Sequence, residues 1–123
     1  MKSIGVDTVA IKKFESVITN SGDGFIEHVF SNAERKYCAS AANTVQSFAG
    51  HYAAKEALAK AMPSLRSYGV DWRDIEITHN NFGAPQFVMN DALCENLARV
   101  SGSSILLSIS HTQETAVAMV AIV

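Results

Sequence analysis

Proline is nearly absent from this chain: of 123 residues, only Pro63 and Pro85 lack a backbone N–H. Helices and strands are therefore interrupted at few places, and Pro63 is one fixed stop. Cysteine is as scarce. Cys38 and Cys94 have no metal-ligand spacing, and they read as reduced packing residues of a cytosolic protein rather than as a disulfide framework. A surplus of one charge is missing too. The formal net charge of −2 gives no general attraction to nucleic acid or to an anionic membrane, so any basic docking surface has to be local. No apolar run approaches the roughly 20 residues that cross a bilayer. The longest, Ala116 to Val123, suits a buried strand. Met1-Lys2-Ser3 runs directly into a strand-like segment, so no signal peptide and a cytoplasmic location are expected. There is no internal repeat, no low-complexity tract and no G-x-S-x-G elbow.

An apolar fraction of 48% remains, enough for one globular domain over residues 1–123. Ile4, Val6 and Thr8 alternate with Gly5, Asp7 and Val9, which predicts a first strand. A helix follows from about Ala10 to Ile18, with a turn over Asn20 to Gly24 and a short helical turn over Phe25 to Phe30. Ser31 caps the next helix, with Glu34 three residues on in a capping-box pattern. Asn43-Thr44 restarts the chain before the segment Phe48 to Met62, FAGHYAAKEALAKAM, an alanine-rich helix ended by Pro63. Irregular chain runs to Val70. Asp74 to Thr78 and Gln86 to Met89 read as strands joined through Asn80-Asn81-Phe82-Gly83. Asn90 caps a helix striped by Leu93, Leu97 and Val100 and closed by Gly102. Ile105 to Ser110 and Thr115 to Ile122 form a last strand pair. These elements predict an α+β fold with a mainly antiparallel sheet.

Within the central helix, Tyr52, Glu56 and Lys60 recur at i, i+4 and share one side. The ordinary reading is a solvated ion pair worth about 0.2–0.5 kcal/mol. Asp7 is a carboxylate in an otherwise apolar or small strand, where burial is costly without a partner or a metal. A strand-edge aspartate is the default there. Ser110 and His111 are neighbours on a strand and point to opposite faces, so they do not make a catalytic dyad. Lys55, His28 and His79 are expected on the surface.

An early Ile4-Gly5-Val6-Asp7 strand, the FAGHYAAKEALAKA helix and a late Ser108-Ile109-Ser110-His111-Thr112 strand end, in this order, resemble one family. It is the holo-acyl-carrier-protein synthases, the small single-domain 4′-phosphopantetheinyl transferases. The resemblance covers nearly the whole chain. It implies transfer of 4′-phosphopantetheine from coenzyme A to a serine of an apo acyl carrier protein, in fatty acid biosynthesis or in another carrier-dependent pathway. Asp7 and Glu56 are then the Mg²⁺ ligands, and Lys60 neutralises the pyrophosphate. These three are the implied catalytic residues. Gly83 and Pro85 of the G-x-P turn, together with Ser110, His111 and Thr112, are implied contacts of coenzyme A. The base for the serine proton stays open between Glu56 and a metal-bound water.

The family also implies a homotrimer with sites at subunit boundaries. It further implies a basic carrier-protein surface, which this chain offers at Lys12-Lys13 with Arg35 and Lys36. One departure stands out: His51 occupies a place where many members carry Arg, leaving open how a nucleotide phosphate is held. Two other classes compete with the transferase. One is a Mg²⁺-dependent nucleotide pyrophosphohydrolase, which normally needs a denser carboxylate cluster. The other is a non-catalytic homologue that binds coenzyme A or a carrier protein.

Overall fold

The structure, a computed structural model, describes residues 1–123. Strand β1 (Ser3–Ala10) leads into helices α1 (Ile11–Ser21), α2 (Asp23–Val29), α3 (Asn32–Ser40) and α4 (Thr44–Ala61). After the single turn α5 (Ser64–Ser67) come a 3-10 turn (Trp72–Asp74), the hairpin β2 (Ile77–His79) and β3 (Pro85–Phe87), helix α6 (Asp91–Arg99), and strands β4 (Ile105–His111) and β5 (Thr115–Ile122). The main sheet has the order β1-β5-β4, antiparallel throughout. The fold is α+β, as expected. No helix is long and apolar enough to cross a membrane.

Strand alternation gives the sheet two unlike faces. Gly5 and Val9 of β1 and Ala116, Ala118, Val120 and Ile122 of β5 are buried on the face covered by α4. Asp7 belongs to this face, paired with Ala118, which pairs in turn with Ile109. The opposite face carries Ile4, Val6, Met119 and Leu106, between 49% and 56% exposed. In one copy of the chain this apolar face has nothing over it.

Helix α4 starts four residues before Phe48 because the Asn43 carboxamide accepts from the Gln46 N–H at 3.0 Å and caps it. Its middle is buried on all but the side of Tyr52, Glu56 and Lys60, which is why small residues fill it. They also let β1 approach closely. A Cβ on Gly5 would lie 2.0 Å from the Ala57 carbonyl oxygen and 2.9 Å from the Ala61 nitrogen, both backbone atoms of α4. Over the other side, Phe14, Phe25, Phe30 and Phe48 pack with Tyr52 in edge-on and tilted pairs.

Lys55 is the main correction to the sequence reading. It is fully buried, not a surface residue. Its ammonium uses all three protons: on Glu34 Oε1 at 2.7 Å, on the Trp72 carbonyl at 2.8 Å and on the Ile75 carbonyl at 2.7 Å. Burial pushes its pKa down and Glu34 opposes that shift. Glu34 makes the expected capping box with Ser31. The same carboxylate also accepts from Lys55 and contacts His51 Nδ1 at 2.9 Å through Oε2.

Smaller differences have local causes. The strand expected from Asp74 begins only at Ile77. The Asp71 carboxylate accepts from the Arg73 N–H and curls residues 72–74, while Lys55 takes the Ile75 carbonyl. Helix α6 is closed by Ser101, at φ 55°, with Gly102 N–H donating to the Leu97 carbonyl. Gly102 is needed for room instead, since a Cβ there would meet Leu97 Cδ1 at 2.5 Å and Ile122 Cγ2 at 2.7 Å. Both cysteines are free, and burial pushes the Cys38 thiol up to about 11, as befits an inert packing residue.

Two stability predictions follow from these contacts. Gly5→Ala drives a methyl into helix backbone that cannot swing aside, so it should cost about 3 kcal/mol or more, at the top of the overpacking range. Gly24→Ala, with nothing within 4 Å and a helical position, should be neutral or slightly stabilising. Urea melts of the two variants check the contrast. Lys55→Met strands the buried Glu34 carboxylate, and a loss of about 3–5 kcal/mol in the same assay is expected. The double variant Glu34→Gln/Lys55→Met should recover a good part of it, because no charge is then left unpaired.

Candidate active site

Two carboxylates from distant parts of the chain meet beside α4. Asp7 reaches there because it lies on the helix-facing side of β1. Lys60 Nζ donates to Asp7 Oδ1 at 2.9 Å and to the Val6 carbonyl at 3.1 Å. One turn earlier on α4, Glu56 Oε2 accepts from Arg66 Nη2 at 2.6 Å. Asp7, Glu56 and Tyr52 line one open groove of about 450 Å³, with Thr8, Lys13 and Phe14 on its walls. Asp7 and Glu56 are its only two carboxylates. Burial, the Glu56 carboxylate and then Asp7 push the Tyr52 phenol up to about 12, so the tyrosine stays protonated as a donor in this negative field.

Asp7, Glu56 and Lys60, named from the sequence, are thus brought together. Arg66 was not, because nothing in its spacing ties residue 66 to a site. Its guanidinium also lies over the Trp72 ring, 5.3 Å from the centroid.

The donor set fits a magnesium ion. The carboxylate side chains are only 17% and 20% exposed, while their partners Lys60 and Arg66 are 55% and 59% exposed and free to swing away. Mg²⁺ takes one or two protein carboxylates and completes its shell with water and phosphate oxygens.

A second pocket of about 300 Å³ lies at the N-terminal end of α4. The cap residue Asn43 and Gln46, Ser47 and His51 of α4 line it with Tyr37, His79, Gly83, Pro85, Ile109 and His111. Gly83, Pro85 and His111 therefore converge on one pocket. Ser110 and Thr112 do not line this pocket. Ser110 pairs with Val117, which pairs in turn with Thr8, on the open sheet face. The Thr112 hydroxyl accepts from the Glu114 and Thr115 N–H groups and shapes the β4–β5 turn. Its carbonyl accepts from Gln46 Nε2.

His28 is exposed as expected, but His79 is not a free surface residue. Its ring stacks on Tyr37 at 4.0 Å and faces His51 at 5.3 Å. Of the four basic residues read as a docking surface, only Lys13 borders the carboxylate groove. Arg35 is engaged elsewhere, with Asn32 and Glu27.

Comparison with known proteins places this geometry. Residues 3–120 match the family model of the 4′-phosphopantetheinyl transferase superfamily. A holo-[acyl-carrier-protein] synthase of Cytophaga hutchinsonii is 39% identical over 98% of this chain and 95% of its own. The crystal structure of the Neisseria meningitidis synthase superposes with a TM-score of 0.85 at 30% identity, covering 99% of this chain and 98% of that one. The Helicobacter pylori synthase in complex with coenzyme A gives 0.83 at 28% identity, covering 98% and 99%. With a near-complete family match, relatives covered almost end to end and the same fold, the chain belongs to the 4′-phosphopantetheinyl transferase superfamily, on its holo-[acyl-carrier-protein] synthase branch.

Proposed function

We propose that this protein transfers 4′-phosphopantetheine from coenzyme A to a serine of an apo acyl carrier protein, releasing 3′,5′-ADP. The observation that carries the reading is the convergence of Asp7 and Glu56 on one groove, with Lys60 in contact with Asp7, in a member of this family. The serine oxygen bonds to the phosphorus on the pantetheine side. The bridging P–O bond breaks, and its electrons leave on the phosphate of 3′,5′-ADP. Little covalent work falls to the protein, so positioning and charge account for most of the rate.

Asp7 and Glu56 are the residues that would hold Mg²⁺, and what the ion supplies when bound is positive charge on the pyrophosphate oxygens. Lys60 exchanges its contact with Asp7 for the leaving phosphate and stabilises the charge that develops there. Glu56, once released by the exposed Arg66, is the carboxylate able to take the serine proton. Tyr52 remains a donor that holds Glu56 in place. The acceptor nucleophile comes with the partner, which agrees with the absence of an activated serine or cysteine in this groove.

We further infer a homotrimer acting in the cytoplasm, in fatty acid biosynthesis or another carrier-dependent pathway. Three copies would cover the sheet face bearing Ile4, Val6, Leu106 and Met119, which is too apolar to suit solvent. Lys13 on the groove wall, with Lys12 beside it, supports an approach of the acidic carrier protein from α1. The pyrophosphohydrolase reading is weaker, because two carboxylates give no dense cluster.

Mass spectrometry of an apo carrier protein incubated with coenzyme A and Mg²⁺ tests the reaction by the phosphopantetheine mass gain. Asp7→Asn and Glu56→Gln should lower transfer by about 10²–10³-fold with the fold intact by circular dichroism. Near-normal rates at limiting Mg²⁺ would overturn the site. Lys60→Ala should lower kcat more than it weakens coenzyme A binding, whereas an unchanged kcat with a raised KM would make it a ground-state contact. Leu106→Glu with Met119→Glu should shift the sedimenting mass from trimer to monomer. A wild-type monomer with full activity would contradict the assembly.

A further inference from the structure

Arg66 stands between two cavities. Its guanidinium donates to Glu56 Oε2 of the carboxylate groove at 2.6 Å, and its side chain also lines a further hollow of about 460 Å³ with Ala59, Leu65 and Trp72. What supports that guanidinium is fixed. The Arg66 backbone is held in the α5 turn: its N–H donates to the Pro63 carbonyl, and its carbonyl accepts from the Gly69 N–H. Leu65 beside it is 1% exposed and anchors the turn. The Trp72 ring, over which the guanidinium lies, belongs to a residue whose carbonyl Lys55 grips at 2.8 Å. The Arg66 side chain itself is 59% exposed, and Glu56 is its one carboxylate partner. A movable cation therefore sits between two rigid supports.

Charge says when it moves. The pairs Asp7–Lys60 and Glu56–Arg66 each sum to zero, so these four side chains leave the groove neutral. A divalent cation on the two carboxylates alone leaves positive charge in excess there. A pyrophosphate alone leaves negative charge in excess. The two together restore balance, with Lys60 and Arg66 turned from the carboxylates to the phosphates. Glu56 and Lys60 stand one turn apart on α4, about 6 Å, so a phosphate that meets Lys60 lies next to the guanidinium held on Glu56. A guanidinium suits both positions. It is planar, rests on an indole face, and binds carboxylate or phosphate through paired N–H groups.

We propose that Arg66 is a stored phosphate-binding cation: it neutralises Glu56 in the free protein and crosses to the substrate pyrophosphate when Glu56 is given up to a divalent cation, so that metal and substrate bind as a coupled pair. The identity of the anion rests on the transferase reading. A salt bridge that merely pinned α5 to α4 would behave differently. Its loss would lower stability and leave metal affinity no better. A stored cation competes with the metal, so its removal tightens metal binding to the free protein and weakens the complex with both ligands.

Paramagnetic resonance of Mn²⁺, which suits carboxylate and water ligands as Mg²⁺ does, reads this cycle. Mn²⁺ is titrated with the full-length protein, with and without saturating coenzyme A, and the binding of Mn²⁺ to coenzyme A alone is measured separately. Wild type should bind Mn²⁺ about 5–150-fold more tightly with coenzyme A present. Arg66→Met keeps a side chain against Trp72 and removes the charge. It should bind Mn²⁺ alone about two- to fivefold more tightly than wild type, the worth of one exposed pair. Its coupling to coenzyme A should fall to about one tenth of the wild-type factor, the loss of one charged hydrogen bond. Arg66→Lys, a milder change, should fall between the two on both counts. Arg99→Met, which strips a guanidinium from the Tyr68 ring, should match wild type. Unchanged or weaker Mn²⁺ binding by free Arg66→Met, a coupling factor equal to that of wild type, or the same effects in Arg99→Met would each overturn the proposal. Coupling that collapses in Arg66→Met while wild type puts no phosphopantetheine on a carrier protein would sustain the stored cation and remove the transferase reading. Transfer by wild type with undiminished coupling in Arg66→Met would do the reverse.

Discussion

The buried contact between Lys55 and Glu34 is the constraint around which the rest of the molecule is arranged. Two charges fully out of solvent are tolerated only when every proton and lone pair nearby is used. Lys55 meets that condition by gripping two segments at once: α3 through Glu34, and the 72–75 turn through two carbonyls. Helix α4 is thereby fixed in rotation as well as in position. One side is tied to α3, so Glu56 and Lys60 have to face β1, and Gly5 lets β1 come near enough for Asp7 to reach Lys60. The same carboxylate orients His51. A single glutamate, first needed to cap α3, therefore sets the geometry of both cavities.

Two other ion pairs have the opposite character. Asp7–Lys60 and Glu56–Arg66 join mostly covered carboxylates to cations that are more than half exposed. Exposed pairs are worth only about 0–1 kcal/mol, so exchanging the cation for another partner is inexpensive. A site that has to accept a highly charged substrate and release a charged product needs that exchange. The permanent pair is buried, where nothing competes for it. The temporary pairs lie at the groove mouth, where phosphate can compete. Burial thus separates the structural charges from the working ones within five residues of the same helix, Lys55 against Glu56 and Lys60.

What could be read from residues alone follows the same division. Asp7, Glu56 and Lys60 were legible because period-two and period-four spacing assign faces, and the joint motif assigned a family. Ser31–Glu34 was legible as a capping box because that signal is local. The role of Lys55 was not. Spacing says which side of a helix a residue occupies but not what covers that side, and here the cover comes from α3 and the turn at residue 72. The stacking of Tyr37, His51 and His79 was hidden for the same reason, since it joins residues from α3, α4 and β2 that share no pattern. Arg66 lies in an irregular stretch without periodicity. The late strand motif was legible as a segment but not residue by residue, because strand alternation sends His111 to the pocket side and Ser110 to the open face.

That alternation also decides where the two cavities open. The histidine pocket and the carboxylate groove lie toward different ends of α4. From Gln46 to Glu56 the helix rises by about 15 Å, with the buried middle of α4 between them. Within one copy, Ile4 and Val6 of β1 and Leu106 and Ser110 of β4 look outward together on the open face. Asp7 and His111 pair with Ala118 and Ala116, the buried side of β5, so both cavities open on the α4 side of the sheet. The apolar face lies on the other side, where the charges of the groove do not reach, and alternation along the same strands keeps the two surfaces chemically apart.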